Sequence, residues 1–397
     1  MLIGKPRRLL LLLDRPWLWA GLLLSLPWSF SQTEWMLTLR GYGLIESEME
    51  LAQTHGYYED LIRTSAPGRA QPRVVVNRPP GWVPFADSGI VQVVDDYQRW
   101  RLRPSLDFRW NGEVFRTNRL GYRGPEIATP KPESTFRIIV IGSSNTIGHG
   151  VGDDEVYTRG LERWLEQRTP SDRHVEVVNL AVSGDSPTQR LLRLQNEACR
   201  LDPDWILGDV TALDFSLEEN HLHWVVEQGV EPPFDFVREA LRNSVVSIRD
   251  TPALFHKKLS PFSKPLLDLA YAGWAAESHR LGVAMTVVIL PRADSKTESP
   301  RLFRLLNELA LDHGLKCIDL SALFDDLKLA DYQVAPWDNH PNALGHRLIF
   351  KELGASLMAD EDFAAEVSNP KNVGIDNPDD ADVKDDDPRV PLSDKAV

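Results

Sequence analysis

The chain contains very few cysteines: Cys199 and Cys317 are the only two among 397 residues. Two thiols are too few for the disulfide framework that stabilises small secreted domains. The fold must therefore depend on an ordinary hydrophobic core, for which a chain of this length is ample. An apolar content of 42% is normal for a globular protein.

The sequence also lacks an excess of positive charge. Its formal net charge is −14, and residues 360–397 contribute twelve acidic but only four basic side chains. The rest of the chain is only mildly acidic, which argues against a nucleic-acid partner. Residues 363–397 are acidic, low in complexity and almost free of aromatics, so we predict a disordered tail there.

Long hydrophobic runs are scarce, and the one near the N-terminus is short. Its uncharged part, Pro16–Gln32, has about 17 residues, the short limit for a membrane-spanning helix. Basic residues precede it, as in a segment with a cytoplasmic N-terminus, and Ser29–Ser31 resembles a signal-peptide cleavage site. Residues 1–32 are therefore predicted to be a membrane anchor or a signal peptide, with a buried helix of a cytosolic protein as the third alternative. Either of the first two places the remaining chain on the periplasmic or extracellular side, membrane-anchored or secreted.

Residues 33–134 are predicted to form an N-terminal extension. Alternating apolar and polar residues in 89–94 and 109–115 indicate short strands. The Asn111-Gly112 pair is typical of a hairpin turn. A proline-rich joint at 129–134 separates the extension from the main domain, which we predict to cover 135–362.

In the main domain, strand-like and helix-like segments alternate. Strands are predicted at 136–142, 175–180, 204–210, 283–290 and 315–320, and helices at 154–168, 187–200, 300–313 and 342–358. This alternation predicts an α/β fold, with a parallel sheet and helices on both faces. Residues 214–280 form an aromatic-rich insertion that we expect to fold as helices over the carboxyl edge of the sheet.

One strand-to-helix turn has the composition of a nucleophile site. Ser144 lies in Gly142-Ser-Ser-Asn-Thr146, directly after the first strand of the predicted sheet. Ligands bind at the carboxyl edge of such sheets, and the following helix offers N–H groups to an anion. A serine attacks an acyl carbon only when a base takes its proton and donors stabilise the oxyanion. His149 is close in sequence, but we interpret it as a loop residue rather than as that base.

His340 is the candidate base. It lies in Trp337-Asp-Asn-His-Pro341, a turn between the fifth strand and the last helix. Asp338, two residues earlier, can curl back towards the imidazole and fix its tautomer. This turn is also expected at the carboxyl edge of the sheet. Ser144, His340 and Asp338 are therefore predicted to act together.

The residues around these three resemble the SGNH (GDSL-type) hydrolase superfamily. Gly142–Thr146 resembles its first block, Asn179–Ser186 its second and Asp338–His346 its last, in the family's order and spacing. Thr117–Gly124 is similar to a lead-in found in some bacterial members. The resemblance implies a flavodoxin-like three-layer α/β/α sandwich with a five-stranded parallel sheet.

For the site, the resemblance implies a triad of Ser144, His340 and Asp338. It also implies an oxyanion hole formed by the backbone N–H groups of Ser144 and Gly184. No metal or organic cofactor is implied. His221 and His223 have a zinc-like composition but lack a third spaced ligand, so no metal site is predicted there.

Two positions depart from the family pattern. Ser143 stands where the first block has an aspartate, and Leu213, in the stretch 209–214, stands where the third block has its oxyanion-hole asparagine. The loss of one oxyanion donor typically costs about 10²–10³ in turnover. Asn145 and Thr211 are two candidates for supplying a replacement donor.

We therefore expect an exported or membrane-anchored serine esterase. Its substrates would be acyl or acetyl esters of carbohydrate or lipid, either as small molecules or as glycans. The alternatives are an O-acyltransferase, and a catalytically impaired protein that binds a glycan or another protein. The N-terminal segment is the expected membrane contact, and the sequence does not predict an oligomeric state.

Overall fold

The computed structural model describes residues 78–291 and 300–368. The predicted anchor or signal peptide and the rest of the chain up to residue 77 lie outside the described residues. Within 78–291 and 300–368, no helix is long and apolar enough to cross a membrane.

Residues 78–134 contain two small antiparallel sheets. A 3₁₀ helix at Phe85–Asp87 is followed by β1 (Val91–Val93), which pairs with β2 (Trp100–Leu102), and by β3 (Asp107–Trp110), which pairs with β4 (Glu113–Arg116). Asn111 and Gly112 alone connect β3 to β4, and their φ angles of 51° and 98° are those of a two-residue hairpin turn. The predicted turn and the strands near 89–94 and 109–115 are confirmed, whereas β2 was not predicted.

The central sheet has five parallel strands. They are β5 (Thr135–Ile141), β6 (His174–Asn179), β7 (Trp205–Val210), β8 (Ala284–Ile289) and β9 (Lys316–Asp319). Their spatial order is β6-β5-β7-β8-β9, the flavodoxin-like order. All five predicted strands and the predicted fold class are confirmed.

Helices cover both faces of this sheet. They are α1 (Ser144–Ile147), α2 (Tyr157–Glu166), α3 (Pro187–Glu197), α4 (Asp214–Gln228), α5 (Asp235–Ser244), α6 (Pro252–Leu281), α7 (Pro300–Asp312), α8 (Leu329–Tyr332), α9 (Ala343–Ala359) and α10 (Glu361–Ser368), with 3₁₀ turns at Asp153–Glu155 and Ala198–Arg200. Side chains of β5 alternate between the two layers, with Ile139 and Ile141 in one core and Ile138 and Val140 in the other. The three-layer arrangement is confirmed, and α2, α3, α7 and α9 correspond to the four predicted helices.

The insertion consists of α4, α5 and α6, as predicted for residues 214–280. Three of its large aromatic residues are fully buried: Phe255, Tyr271 and Trp274 each have 0% of their surface exposed. Burial of such side chains provides most of the free energy that holds the added helices against the domain. These aromatics therefore form core rather than a substrate cleft.

The C-terminal end of the domain differs from the prediction. The chain after β9 forms a small antiparallel pair, β10 (Gln333–Ala335) and β11 (Asp338–Pro341), before α9. The predicted start of the disordered tail, residue 363, falls inside α10, where Phe363 and Val367 are both buried. Their i, i+4 spacing places both on one helix face, which packs onto the domain. The remainder of the tail, from residue 369, lies outside the described residues.

Candidate active site

The turn Gly142–Thr146, which carries the predicted nucleophile, connects β5 to α1 and is held by one buried carboxylate. Asp209, at the end of β7, accepts hydrogen bonds from the Ser143 N–H at 3.2 Å and from the Thr146 hydroxyl. A Cβ at Gly142 would clash with the Asp209 Oδ2, so only glycine fits where the turn passes this carboxylate. Ser144 is thereby fixed as the first residue of α1, with 5% of its surface exposed.

Arg123 holds the other end of this turn. It belongs to the lead-in segment Thr117–Gly124, and its guanidinium donates to the carbonyls of Ile147 and Gly148, both at 2.6 Å, and of Val151 at 2.7 Å. Its Nε also donates to Asp153 at 3.0 Å. These charge-assisted bonds give the lead-in a physical role, because they fix the backbone that follows the serine.

His340 and Asp338 form a tight pair on β11. The His340 Nδ1 lies 2.5 Å from the Asp338 Oδ1, which also accepts the backbone N–H of His340 at 3.1 Å. A carboxylate only accepts hydrogen bonds, so Nδ1 carries the proton and Nε2 is left as the acceptor. Ser144 and His340 line the same pocket at the carboxyl edge of the sheet. The structure thus brings the three predicted residues together, and their catalytic role stays a prediction.

A second imidazole contacts this pair, which the sequence did not predict. The ring of His149 stacks on the ring of His340, with centroids 4.1 Å apart and an interplanar angle of 12°. Its Nε2 lies 3.4 Å from the Asp338 Oδ2, and Trp110 packs edge-on against it at 4.5 Å. His149 does follow α1 in a loop, but its side chain belongs to the site. The only signal for this contact was the nearness of His149 to Ser144 in the chain.

The two imidazoles determine the charge of Asp338. Burial raises the pKa of this carboxyl, but His340 and His149 together outweigh burial, and the pKa lies well below its usual range. The carboxylate is therefore ionised at every pH at which a histidine can act as a base. An ionised Asp338 stabilises the imidazolium that forms when His340 accepts a proton.

On the oxyanion side, the predicted donors lie beside the serine. Gly184, with a φ of 85°, follows β6, and its N–H donates to the Ser143 Oγ at 3.1 Å. The pocket is also lined by Leu213, which places an apolar side chain where the family pattern has an amide. Ser143 and Leu213, the two departures from that pattern, thus both lie at this side of the site.

Beneath the pocket lies a buried ionic cluster that the sequence did not predict. Arg190 of α3 is 0% exposed and donates to both carboxylate oxygens of Asp214, at 3.0 and 2.9 Å, and to the Asp209 carbonyl at 2.9 Å. Burial raises the pKa of Asp214 to about 6, against the opposing effect of Arg190. The only signal in the sequence was an arginine within an otherwise amphipathic helix.

Among the described residues, a single group has the composition of a metal site: His149, Asp338 and His340, whose donor atoms all lie within 4.8 Å of one another. This group is the predicted base and its aspartate with the added imidazole, and the Nδ1 of His340 already bonds Asp338. His221 and His223 belong to no such group among the residues of 78–291 and 300–368.

The environment of His346, a residue of the last block, predicts how the free energy of unfolding depends on pH. It is fully buried, and its Nδ1 accepts the Tyr157 N–H at 3.2 Å. Burial, with the nearby charges of Arg123 and His340, lowers its pKa to about 3. Between that value and the unfolded pKa of about 6.5, only the unfolded chain binds the proton, so stability falls as pH falls.

We expect the substitution His346→Gln, which keeps an acceptor but cannot titrate, to remove this dependence. In the wild type, His346 should lower the free energy of unfolding by about 2 kcal/mol from pH 7 to pH 5. Urea unfolding of both proteins at the two pH values measures the difference. An equal decrease in both would show that His346 takes up its proton in the folded state.

The fold is similar to several solved structures at low sequence identity. Axe2, an acetylxylan esterase from Geobacillus stearothermophilus, is 14% identical, with 59% of this chain and 94% of that chain covered and a TM-score of 0.38. TesA is 13% identical, with 56% and 98% covered and a TM-score of 0.37. CEX, a two-domain esterase active on acetylated mannans, is 13% identical, with 62% and 52% covered and a TM-score of 0.38.

At the level of sequence, no curated protein matches the chain significantly. The model of the GDSL-like lipase/acylhydrolase family matches residues 140–348, more than half of the 397. That range contains the nucleophile turn, Gly184 and the Asp338–His340 pair. The chain therefore belongs to the GDSL-like lipase/acylhydrolase (SGNH) family.

Proposed function

We propose that this protein is an exported or membrane-anchored serine esterase with Ser144, His340 and Asp338 as its catalytic triad. The observation that carries the proposal is the buried Asp338–His340 pair, at 2.5 Å, in a pocket that Ser144 also lines. Membership in a hydrolase family supports the reaction class. The export of the protein rests on the N-terminal segment alone.

The geometry fits a two-step acyl transfer. The Ser144 Oγ bonds to the ester carbonyl carbon while its proton passes to the Nε2 of His340. The oxyanion that forms accepts hydrogen bonds from the N–H groups of Ser144 and Gly184, and Asp338 stabilises the imidazolium. Collapse expels the alcohol, which takes the proton from His340. Water then attacks the acyl-enzyme with His340 as base and releases the acid.

The proposed substrates are acyl or acetyl esters of carbohydrate or lipid, which an exported enzyme would meet outside the cytoplasm. The same acyl-enzyme can pass its acyl group to another hydroxyl, which would make the protein an O-acyltransferase. Product analysis separates the two: free acid accumulates in hydrolysis, whereas an acylated acceptor accumulates in transfer.

Labelling with a fluorophosphonate tests the proposal, because the reagent bonds only to an activated serine. The motif contains two adjacent serines, and this provides a matched pair of variants. We expect Ser144→Ala to lose all labelling and Ser143→Ala to keep it. An unlabelled wild type, or a label that survives Ser144→Ala, would contradict the assignment of Ser144 as nucleophile.

One observation favours a second function, in which the protein binds a glycan or partner protein without turnover. Leu213 lines the pocket where the family pattern has a hydrogen-bond donor. Hydrolysis of p-nitrophenyl acetate that depends on both Ser144 and His340 would exclude this function. Binding of an array glycan that persists in Ser144→Ala, with no turnover by the wild type, would support it.

A further inference from the structure

The oxyanion side of the pocket has fewer free donors than the family pattern provides. Leu213 supplies none, and the N–H of Gly184 already donates to the Ser143 Oγ at 3.1 Å. An oxyanion at Ser144 would compete with this neutral hydroxyl for the Gly184 N–H. A further donor near the serine would restore the stabilisation that the amide of the family pattern supplies.

Thr211, which also lines the pocket, is already hydrogen-bonded on both sides. Its hydroxyl donates to the Asp214 Oδ1 at 3.5 Å and accepts the Leu213 N–H at 3.3 Å. If this hydroxyl turned towards a substrate, it would leave one oxygen of the buried Asp214 carboxylate with one bond fewer. Thr211 is therefore poorly suited as the missing donor.

The side chain of Asn145, unlike that of Thr211, is available to a substrate. It is the second residue of α1, only 7% exposed, and it lines the same pocket as Ser144, Leu213 and His340. Its backbone carbonyl accepts the Gly148 N–H at 3.2 Å, but its side-chain amide makes no hydrogen bond to any residue within 78–291 or 300–368. The residue is almost buried, but its amide is accessible from the pocket, so a ligand there can accept a hydrogen bond from it.

We infer that Asn145 is a catalytic residue, whose side-chain N–H donates to the oxyanion in place of the amide absent at position 213. This inference rests on the proposed esterase function. The donor has moved from the loop after β7 to the turn after β5, next to the nucleophile itself. It acts in both steps, because acylation and deacylation each place a negative oxygen at the same point beside Ser144.

The variants Asn145→Leu and Asn145→Asp test this role. Leucine has the same branching at Cγ but is larger and carries no donor, and aspartate has the same shape as asparagine but presents only acceptors. For Asn145→Leu we expect kcat for p-nitrophenyl acetate to fall about 10²–10³-fold with KM changed less than threefold, because the bond strengthens in the transition state. Asn145→Asp should lose more, since its carboxylate repels the oxyanion.

Two further variants separate this role from a structural one. Adding Leu213→Asn to Asn145→Leu restores an amide at the family position, and we expect it to recover at least tenfold in kcat. Asn196→Leu, the same substitution at an exposed position of α3, should leave kcat unchanged. The melting temperature of Asn145→Asp, which keeps the shape of the side chain, should stay close to that of the wild type, because the amide bonds no other residue within 78–291 or 300–368.

Each outcome decides the inference. If the wild type is labelled by fluorophosphonate and Asn145→Leu keeps kcat within threefold, Asn145 is not an oxyanion donor and the proposed function stands. A kcat loss accompanied by a lower melting temperature and no rescue by Leu213→Asn would assign Asn145 a structural role and overturn the inference. If the wild type is neither labelled nor active, both the inference and the proposed function fail.

Discussion

Replacing His340 with glutamine is expected to lower kcat for p-nitrophenyl acetate by about 10⁴–10⁶-fold. Glutamine can occupy the space and bond Asp338, but it cannot accept the proton of Ser144 at neutral pH. The alkoxide would then have to form without a base, which leaves only binding and oxyanion stabilisation to accelerate the reaction. Steady-state kinetics at pH 7.5, with enzyme concentrations taken from absorbance, measures the loss.

The control for this experiment is His313→Gln. His313 lies outside the site and pairs with Asp268 near the surface, at 2.7 Å. We expect its kcat to equal that of the wild type. A loss of less than tenfold in His340→Gln would place the base elsewhere, and His149, stacked 4.1 Å away, would be the imidazole to test next.

Replacing Arg190 with methionine is expected to lower the free energy of unfolding by about 3–5 kcal/mol. The change removes the cation from two carboxylates, Asp209 and Asp214, that are 1% and 0% exposed. Burial already raises the pKa of both carboxyl groups, and the positive charge of Arg190 opposes this rise. Without Arg190, both pKa values should rise further. The destabilisation should therefore shrink between pH 7 and pH 5, because protonation relieves the unpaired charge.

Urea unfolding at both pH values measures this effect, and Arg116→Met is the matched control. Arg116 pairs with Asp107 at 3.1 Å, but its side chain is 53% exposed and that of Asp107 is 72% exposed. An ion pair in that setting contributes less than about 1 kcal/mol. Equal losses in the two variants would show that the cluster around Arg190 is not what stabilises the base of the pocket.

The sequence allowed the fold to be predicted because each element has a local signature. The run of β-branched residues around Ile138–Ile141 is typical of a buried parallel strand, and Ser186-Pro187 begins α3 with a capping box to Gln189. The Asn111-Gly112 turn followed from the positive φ that both positions need. The end of the domain was misplaced because α10 lies within an acidic segment. Its charged residues suggested disorder, and only two of its residues, Phe363 and Val367, are apolar residues that pack onto the domain.

Only those residues of the site that belong to the sequence blocks of the family could be predicted. Ser144, Asp338 and His340 were identified from those blocks and lie together. The stacking of His149 on His340 and the bonds of Arg190 to Asp214 join residues from separate elements, and no local pattern reports such contacts. The hydrogen bond from the Gly184 N–H to the Ser143 Oγ could not be predicted either, because it joins the loop after β6 to the turn after β5.

The packing of the extension has a consequence for how the chain folds during synthesis. Trp110 and Phe115 share one hydrophobic cluster with Ile147, Ala181 and Val182. The last of these leaves the ribosome about seventy residues after Trp110, so the extension emerges first with its apolar side uncovered. It can complete its structure only when β5, α1 and β6 have been made. We therefore expect residues 78–134 and the sheet domain to fold in one cooperative transition, in which the loops around Ser144 become ordered as well.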